Sequence, residues 1–258
     1  MSVLEEIVNY TRQRVERERK ELVMPKRNKP IMDFRASLER GAFSVIAEYK
    51  PSSPSGVKAK WKLEEYLARV TNADALSVLT EPKWFKGSYW NVYKASTLTN
   101  KPILLKDFVI DEVQIEAAYA FGADAVLLMI DVIDEDELKY LALKAKAKGL
   151  QTLVEVSSPE WAEVLSREPW VDVLGVNSRD FKTLKVSVER IFEASRHIDE
   201  RAFPLAESGV KGSKEAYELG LRGYRGALVG TSLMESPDPF GLINEIKLAG
   251  TSGLFSLP

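Results

Sequence analysis

Gly122-Ala123-Asp124-Ala125-Val126-Leu127-Leu128-Met129-Ile130 reads as the end of one helix, a turn, and a short strand with no polar interruption. A run of this kind needs cover on both faces, as parallel strands between helices do. The phrase around the aspartate recurs. Asn72-Ala73-Asp74-Ala75-Leu76 precedes it and Trp170-Val171-Asp172-Val173-Leu174 follows it, with Asp124 standing 50 residues after Asp74 and 48 before Asp172. Arg225-Gly226-Ala227-Leu228 continues the series less clearly. A phrase shared by every second strand suits two βα units per period. Eight such units close into an α/β (β/α)8 TIM barrel, and 258 residues match the ~250 typical of one. An open doubly wound sheet is the alternative, but no Gly-rich dinucleotide fingerprint follows the first strand.

Outward from that stretch, strands are expected at 43–49, 75–79, 102–106, 125–130, 151–156, 171–176, 203–207 and 226–230. Helices follow them. The stretch 134–148 opens on Asp134 with Glu137 three residues on, and 158–167 opens on Ser158-Pro159, both start signals. The stretch 112–121 stops at Gly122, and 239–248 starts at Pro239 and runs into a Gly/Ser-containing tail. Ahead of the barrel, 2–22 forms an additional N-terminal helix. Ser2 and Glu5 make a capping box, Leu4, Ile7, Val8, Thr11 and Val15 form an apolar stripe, and Glu16–Lys20 is an i,i+4 pair. Lys26-Arg27-Asn28-Lys29, between Pro25 and Pro30, reads as a solvated basic linker. The expected organisation is one barrel domain over 1–258 with a helical extension of about 40 residues.

Composition removes several kinds of chemistry. The chain has no cysteine and a single histidine, His197, so thiolate nucleophiles and Cys-based metal sites are excluded. His197 closes the helical stretch Val188 to Ile198 with no motif around it and is expected to be an ordinary surface residue. No metal-ligand spacing is visible, so neither metal nor other cofactor is expected. A net charge of −2 from 36 basic and 38 acidic residues gives no case for nucleic acid or an anionic membrane. The longest apolar run falls far short of a membrane span, and a terminus charged from Glu5 lacks a signal-peptide core; a cytoplasmic monomer is expected.

Four apolar runs stop on charge: Val45-Ile46-Ala47-Glu48-Tyr49-Lys50, Ile103-Leu104-Leu105-Lys106-Asp107, Thr152-Leu153-Val154-Glu155 and Leu205-Ala206-Glu207-Ser208. Ions tolerate burial only when paired. Tips of parallel barrel strands converge on the C-terminal mouth, so these charges are expected to meet there. Alternation puts Glu48 and Lys50 on one side, and Pro51-Ser52-Ser53-Pro54-Ser55-Gly56 then makes a stiff turn with hydroxyls for an anion. Lys106, held among apolar groups and near another cation, is expected to have a lowered pKa suited to proton transfer. Glu155 between two valines is a candidate carboxylate base. In Gly175-Val176-Asn177-Ser178-Arg179-Asp180, Asn177 can hold a hydroxyl or carbonyl and Arg179 can grip a carboxylate or phosphate. Ser208-Gly209 and Gly230-Thr231-Ser232 follow the seventh and eighth strands, where barrels often bind phosphate. Trp84, Phe85 and Phe108, beyond strands two and three, either sandwich a flat ring or anchor their loops.

These residues resemble the indole-3-glycerol-phosphate synthase family. Ile46-Ala47-Glu48-Tyr49-Lys50 leading into Ser53-Pro54-Ser55 carries the likeness. It continues in order through Leu79-Thr80-Glu81, Leu105-Lys106-Asp107-Phe108, Leu153-Val154-Glu155, Val176-Asn177-Ser178-Arg179-Asp180, Ala206-Glu207-Ser208-Gly209 and Gly230-Thr231-Ser232-Leu233-Met234. The resemblance implies a monofunctional lyase that closes the indole ring of 1-(2-carboxyphenylamino)-1-deoxyribulose 5-phosphate, losing carbon dioxide and water. It further implies Lys106 as general acid at the substrate carbonyl and Glu155 as acid or base in dehydration. Glu48 would face the developing positive charge, Lys50 would position the anionic substrate, and Asn177 and Glu207 would organise the polar network. Ser53 and Arg179 would bind substrate, Phe85 and Phe108 would pack on the aromatic ring, and Ser208, Gly209, Gly230 and Thr231 would hold the phosphate. Some relatives have a further lysine where this chain has Ser52. Other possibilities are a related phosphate-binding isomerase, such as phosphoribosylanthranilate isomerase, and a catalytically silent phosphate-ligand-binding barrel.

Overall fold

In a computed structural model describing residues 2–54, 56, 58–179 and 186–257, eight parallel strands close into a barrel in chain order. The strands are β1 Ser44–Tyr49, β2 Ala75–Leu79, β3 Ile103–Lys106, β4 Ala125–Met129, β5 Gln151–Val156, β6 Val173–Asn177, β7 Pro204–Glu207 and β8 Gly226–Val229. Two helices precede the barrel, α1 Val3–Glu21 and α2 Phe34–Leu38. The outer ring comprises α3 Leu63–Arg69, α4 Tyr89–Leu98, α5 Glu112–Phe121, α6 Glu135–Ala147, α7 Pro159–Leu165, α8 Val188–Ala194 and α9 Ser213–Gly220, completed by α10 Thr231–Glu235 and α11 Pro239–Leu254.

Side-chain alternation divides the apolar residues in two. Val45, Leu105, Val126, Leu128, Val154 and Val176 point outward into the layer beneath the helices. Ile46, Leu104, Leu127, Leu153, Leu205 and Leu228 fill the interior. The inward rows of β1, β3, β5, β6 and β7 then end, at the C-terminal mouth, on a polar residue, so one register decides both packing and chemistry.

The repeated aspartates have a shared task. Asp74, Asp124 and Asp172 each accept a backbone N–H at the start of the preceding strand, from Val45 at 2.8 Å, Ile103 at 2.9 Å and Thr152 at 2.8 Å. Near the bottom of a closed barrel such an N–H would otherwise be buried unpaired, and the carboxylate satisfies it. At the equivalent place before β8 stands Arg225, which has no carboxylate for this task; its carbonyl accepts the Ser44 N–H at 2.9 Å, as the Asp124 carbonyl accepts that of Gln151 at 3.0 Å.

The basic linker is solvated only at Lys26 and Asn28. Arg27 and Lys29 are nearly buried and clamp Asp124 at 2.8 and 2.7 Å, and Met32 N donates to the same carboxylate. The segment thus descends the outside of the barrel and delivers α2, whose Phe34 and Leu38 join the interior core at its lower end. A charge run read in isolation gave the wrong environment because its partner lies 95 residues away. On α1 the capping box is formed and Ile7, Val8, Thr11 and Val15 are buried as expected, while Glu16 pairs with Arg19 at 2.7 Å. Helix α11 runs six residues beyond the stretch expected from sequence, because Gly250 and Gly253 permit close packing on Phe43 and Gly220. No described helix is long and apolar enough to cross a membrane.

Candidate active site

Strands β1, β3, β5, β6 and β7 bring Glu48, Lys106, Glu155, Asn177 and Glu207 to one cavity at the C-terminal mouth. Lys106 Nζ stands at the centre. It lies 2.5 Å from Glu207 Oε2, 3.6 Å from Glu155 Oε2 and 3.8 Å from Glu48 Oε2. Glu48 also accepts from Lys50 Nζ at 2.8 Å, so the two residues predicted to share a side of the first strand do form a pair. Asn177 Nδ2 donates to Glu155 Oε1 at 2.8 Å, and Asn177 Oδ1 accepts the Arg179 N–H at 2.9 Å.

Lys106 does not have the lowered pKa expected from sequence. Burial alone would lower it, but Glu207, Glu155 and Glu48 outweigh burial and raise it above the ordinary value. The expectation failed because the neighbour that matters is three carboxylates, not a second cation. Burial pushes the Glu155 carboxyl up, Glu207 adds to the push, and the result is about 8, against the pull of Lys106 and Asn177. Burial also works against ionisation of Glu48, yet Lys50 and Lys106 together hold it below the usual carboxylate value. The mouth therefore presents an ammonium, a neutral carboxyl and a carboxylate at neutral pH. Groups whose environments push them apart in this way can serve opposite roles in one reaction.

As carboxylates, Glu155 Oε2 and Glu207 Oε1 would both be buried acceptors without a donor; with Glu155 protonated, its carboxyl hydrogen-bonds Glu207, which is part of what raises it. Buried polar atoms are nearly always satisfied, and here a proton shared between the two carboxyls satisfies both. Around them lie Lys50, Phe85, Phe108, Arg179, Ser208, Gly209, Gly230 and Thr231, all in the cavity wall. Phe85 and Phe108 sit 6.2 Å apart, centroid to centroid. Ser208 has a φ of 66° and Gly209 one of 78°, so the chain leaves β7 through two left-handed residues. A non-glycine residue held there is strained, and such strain gathers at binding sites.

Ser53 is absent from the described wall, half-buried in the loop after β1; Ser55 and Asp180, quoted in the same motifs, lie outside the described residues. Trp84 does not face the cavity. It packs edge-on against Tyr10 of α1, with centroids 5.4 Å apart, and so anchors its loop. The Ser232 hydroxyl donates to the Val210 carbonyl at 2.7 Å and thereby ties the loop after β8 to the loop after β7. His197 is at the surface, 3.7 Å from Glu163.

Sequence reading missed three features. Leu127 and Met129 line the cavity from β4, whose wholly apolar run carries no hint of a site. Glu81 is fully buried and accepts the backbone N–H groups of Lys83, Trp84 and Phe85 at 2.8, 2.7 and 3.0 Å, which fixes the loop backbone that carries Phe85. Gly175, inside β6, leaves room for Glu207, since a Cβ there would overlap Glu207 Oε1. A glycine interrupting a strand signals a close approach and was open to that reading.

The barrel and its mouth define the class: a (β/α)8 protein with a lysine and three glutamates gathered in a cavity at the C-terminal ends of its strands. The sequence profile of indole-3-glycerol phosphate synthase matches residues 4–246. The chain is 40% identical over 227 residues to the indole-3-glycerol phosphate synthase of Pyrobaculum neutrophilum, covering 87% of this chain and 88% of that one. It is 34% identical over 257 residues to the protein of that name from Aquifex aeolicus, covering 95% and 99% respectively. This chain belongs to the indole-3-glycerol phosphate synthase family. Among solved structures, 3-hexulose-6-phosphate synthase from Salmonella typhimurium superposes with a TM-score of 0.66 at 16% identity, over 82% of this chain and 100% of that one, a likeness of fold alone.

Proposed function

We propose that this protein is a carbon–carbon lyase of tryptophan biosynthesis, which converts 1-(2-carboxyphenylamino)-1-deoxyribulose 5-phosphate into indole-3-glycerol phosphate, carbon dioxide and water. One observation carries the reading: a protonated Lys106 ringed by Glu207, Glu155 and Glu48 in a cavity walled by aromatic rings on one side and by the β7 and β8 loops on the other. Ring closure needs a proton at a ketone oxygen, a group to face positive charge, and a second acid for a leaving hydroxyl. General acids and bases of this kind each contribute ~10²–10⁴-fold.

The ring carbon bearing the carboxylate attacks the ketone carbon, and Lys106 Nζ protonates the oxygen as the new carbon–carbon bond forms. The anilino nitrogen takes up positive charge, faced by the Glu48 carboxylate. Carbon dioxide then leaves, and the electron pair of the broken bond restores the aromatic ring. Glu155, neutral up to about pH 8, protonates the hydroxyl, which departs as water, and then takes the proton from the adjacent ring carbon. Lys106 is reprotonated from solvent, so one proton is consumed overall. No electron changes hands, and these steps require neither redox cofactor nor Lewis acid.

Asn177 and Glu207 hold Glu155 and Lys106 in place. Lys50 and Arg179 attract the substrate's anionic groups, and Phe85 and Phe108 pack on its ring. Ser208, Gly209, Gly230 and Thr231 receive the phosphate, and Ser53 contributes if the loop after β1 closes on bound substrate. The proposed enzyme acts on this small molecule as a cytoplasmic monomer, independent of nucleic acid and membrane. Purified protein incubated with the synthetic substrate should develop indole fluorescence; no product above background overturns the proposal.

A further inference from the structure

We propose that Asp107 is a positioning residue for Lys106 and Phe108, and that Arg14 of α1 and Thr80 after β2 act through it. This rests on the proposed role of Lys106. Asp107 is 2% exposed, and both of its oxygens are used. Oδ1 accepts from Arg14 Nη2 at 2.9 Å and from the Phe108 N–H at 2.8 Å. Oδ2 accepts from the Thr80 hydroxyl at 2.6 Å. Thr80 also reaches back one residue, its N–H donating to the Lys106 carbonyl at 3.0 Å. The backbone on either side of Asp107 is therefore fastened by groups that converge on one carboxylate.

The fastening extends outward. Arg14 Nε lies 3.3 Å from Glu18, and Glu18 accepts from Tyr89 OH at 3.1 Å. Gln114 of α5 donates to the Phe108 carbonyl at 3.0 Å. The exit of β3 is thus gripped by α1, the end of β2, α4 and α5.

A buried ion pair is a poor stabiliser compared with apolar residues of the same volume, because desolvation offsets the attraction. What it supplies here is direction. Strand alternation sends the Asp107 side chain away from that of Lys106, so the pair fixes the peptide without competing for the ammonium. Lys106 must place a flexible four-carbon stem among three carboxylates, and Phe108 must hold its ring beside them. A displacement near 1 Å at such a centre can cost on the order of a hundredfold in rate.

The test is single-turnover kinetics on the intact protein with the synthetic substrate, reading rate and affinity separately. Asp107→Asn removes the charge opposite Arg14 and one of the two acceptors, leaving the Thr80 hydroxyl to accept where it donated, and its turnover rate should fall roughly tenfold to a hundredfold with substrate affinity within about twofold. Thr80→Val keeps the shape and removes the hydroxyl, and should lose about fivefold in rate, while Thr80→Ser, which keeps the donor, should restore it. A drop in melting temperature alone does not distinguish a structural role; the rate does. Wild-type rates in Asp107→Asn and Thr80→Val, or losses confined to affinity, overturn the proposal. If Asp107→Asn fails to fold, the Val and Ser variants of Thr80 decide. A wild-type protein that forms no indole product defeats the proposed reaction instead.

Discussion

Replacing Glu155 by glutamine alters little but a proton, yet it is expected to move stability and turnover in opposite directions. The native carboxyl is raised from 4.5 to about 8 by burial first and by Glu207 second. Below the unfolded value the group is protonated in both states, and its burial carries no ionisation cost. As pH climbs from 4.5 toward 8, the unfolded chain releases the proton and the folded one keeps it. Stability is then lost at about 1.4 kcal/mol per pH unit, to a total of roughly 5 kcal/mol. Glutamine has no proton to lose, resembles the neutral carboxyl in shape, and still offers an oxygen to Asn177 Nδ2. The stability difference in favour of Glu155→Gln should grow from about 1 kcal/mol near pH 5 to roughly 4–5 kcal/mol near pH 9. For a chain of this size that is a gain of ~10 °C in melting temperature at the alkaline end. Dehydration should meanwhile slow by ~10²–10⁴. Thermal unfolding of both proteins, followed by circular dichroism across this pH range, reads the difference. Parallel curves, with the two melting temperatures equally spaced at every pH, would refute the argument that Glu155 is held neutral by its surroundings.

Three further outcomes follow from the same geometry. Gly175→Ala places a Cβ against Glu207 Oε1 and should push that carboxylate off Lys106, lowering turnover at least tenfold while circular dichroism still reports a folded barrel. Gly230→Ala meets Glu48 Oε1 and lies 3.3 Å from Lys50 Nζ, so it should raise KM for the phosphorylated substrate roughly tenfold in steady-state assays. Glu48→Gln should lower turnover by about the same factor at every pH from roughly 5 to 9, because the native group, held below the ordinary value, stays ionised throughout; a loss confined to one end of that range would contradict its assigned charge.

Much of the fold was open to a reader of the sequence because barrel strands are short, covered on both faces, and bounded by aspartates and glycines. β2 and β5 fall where they were expected to the residue, and Asp134, Ser158 and Gly122 cap the helices that they were expected to cap. The charged strand tips converge because inward rows of a closed sheet must meet at its mouth. What escaped depends on distance along the chain. Arg27 and Lys29 look like solvated charges until Asp124 is placed beside them. Arg14 sits on the apolar face of α1 and makes sense only with Asp107, 93 residues on. The pKa of Lys106 could not be read from its own strand, since its three carboxylates come from β1, β5 and β7. The short helix α2 has too few residues to show a period, and its burial comes wholly from the barrel it plugs.

The role of Lys106 is most directly tested by measuring carbon dioxide release alongside indole fluorescence, in wild-type protein and in a folded Lys106→Ala variant given the same phosphorylated anthranilate substrate. The wild type should release one carbon dioxide for each indole formed, and the variant should release neither. Undiminished release by Lys106→Ala, or carbon dioxide lost by the wild type without ring closure, would contradict the assignment of this ammonium as the acid that starts the reaction.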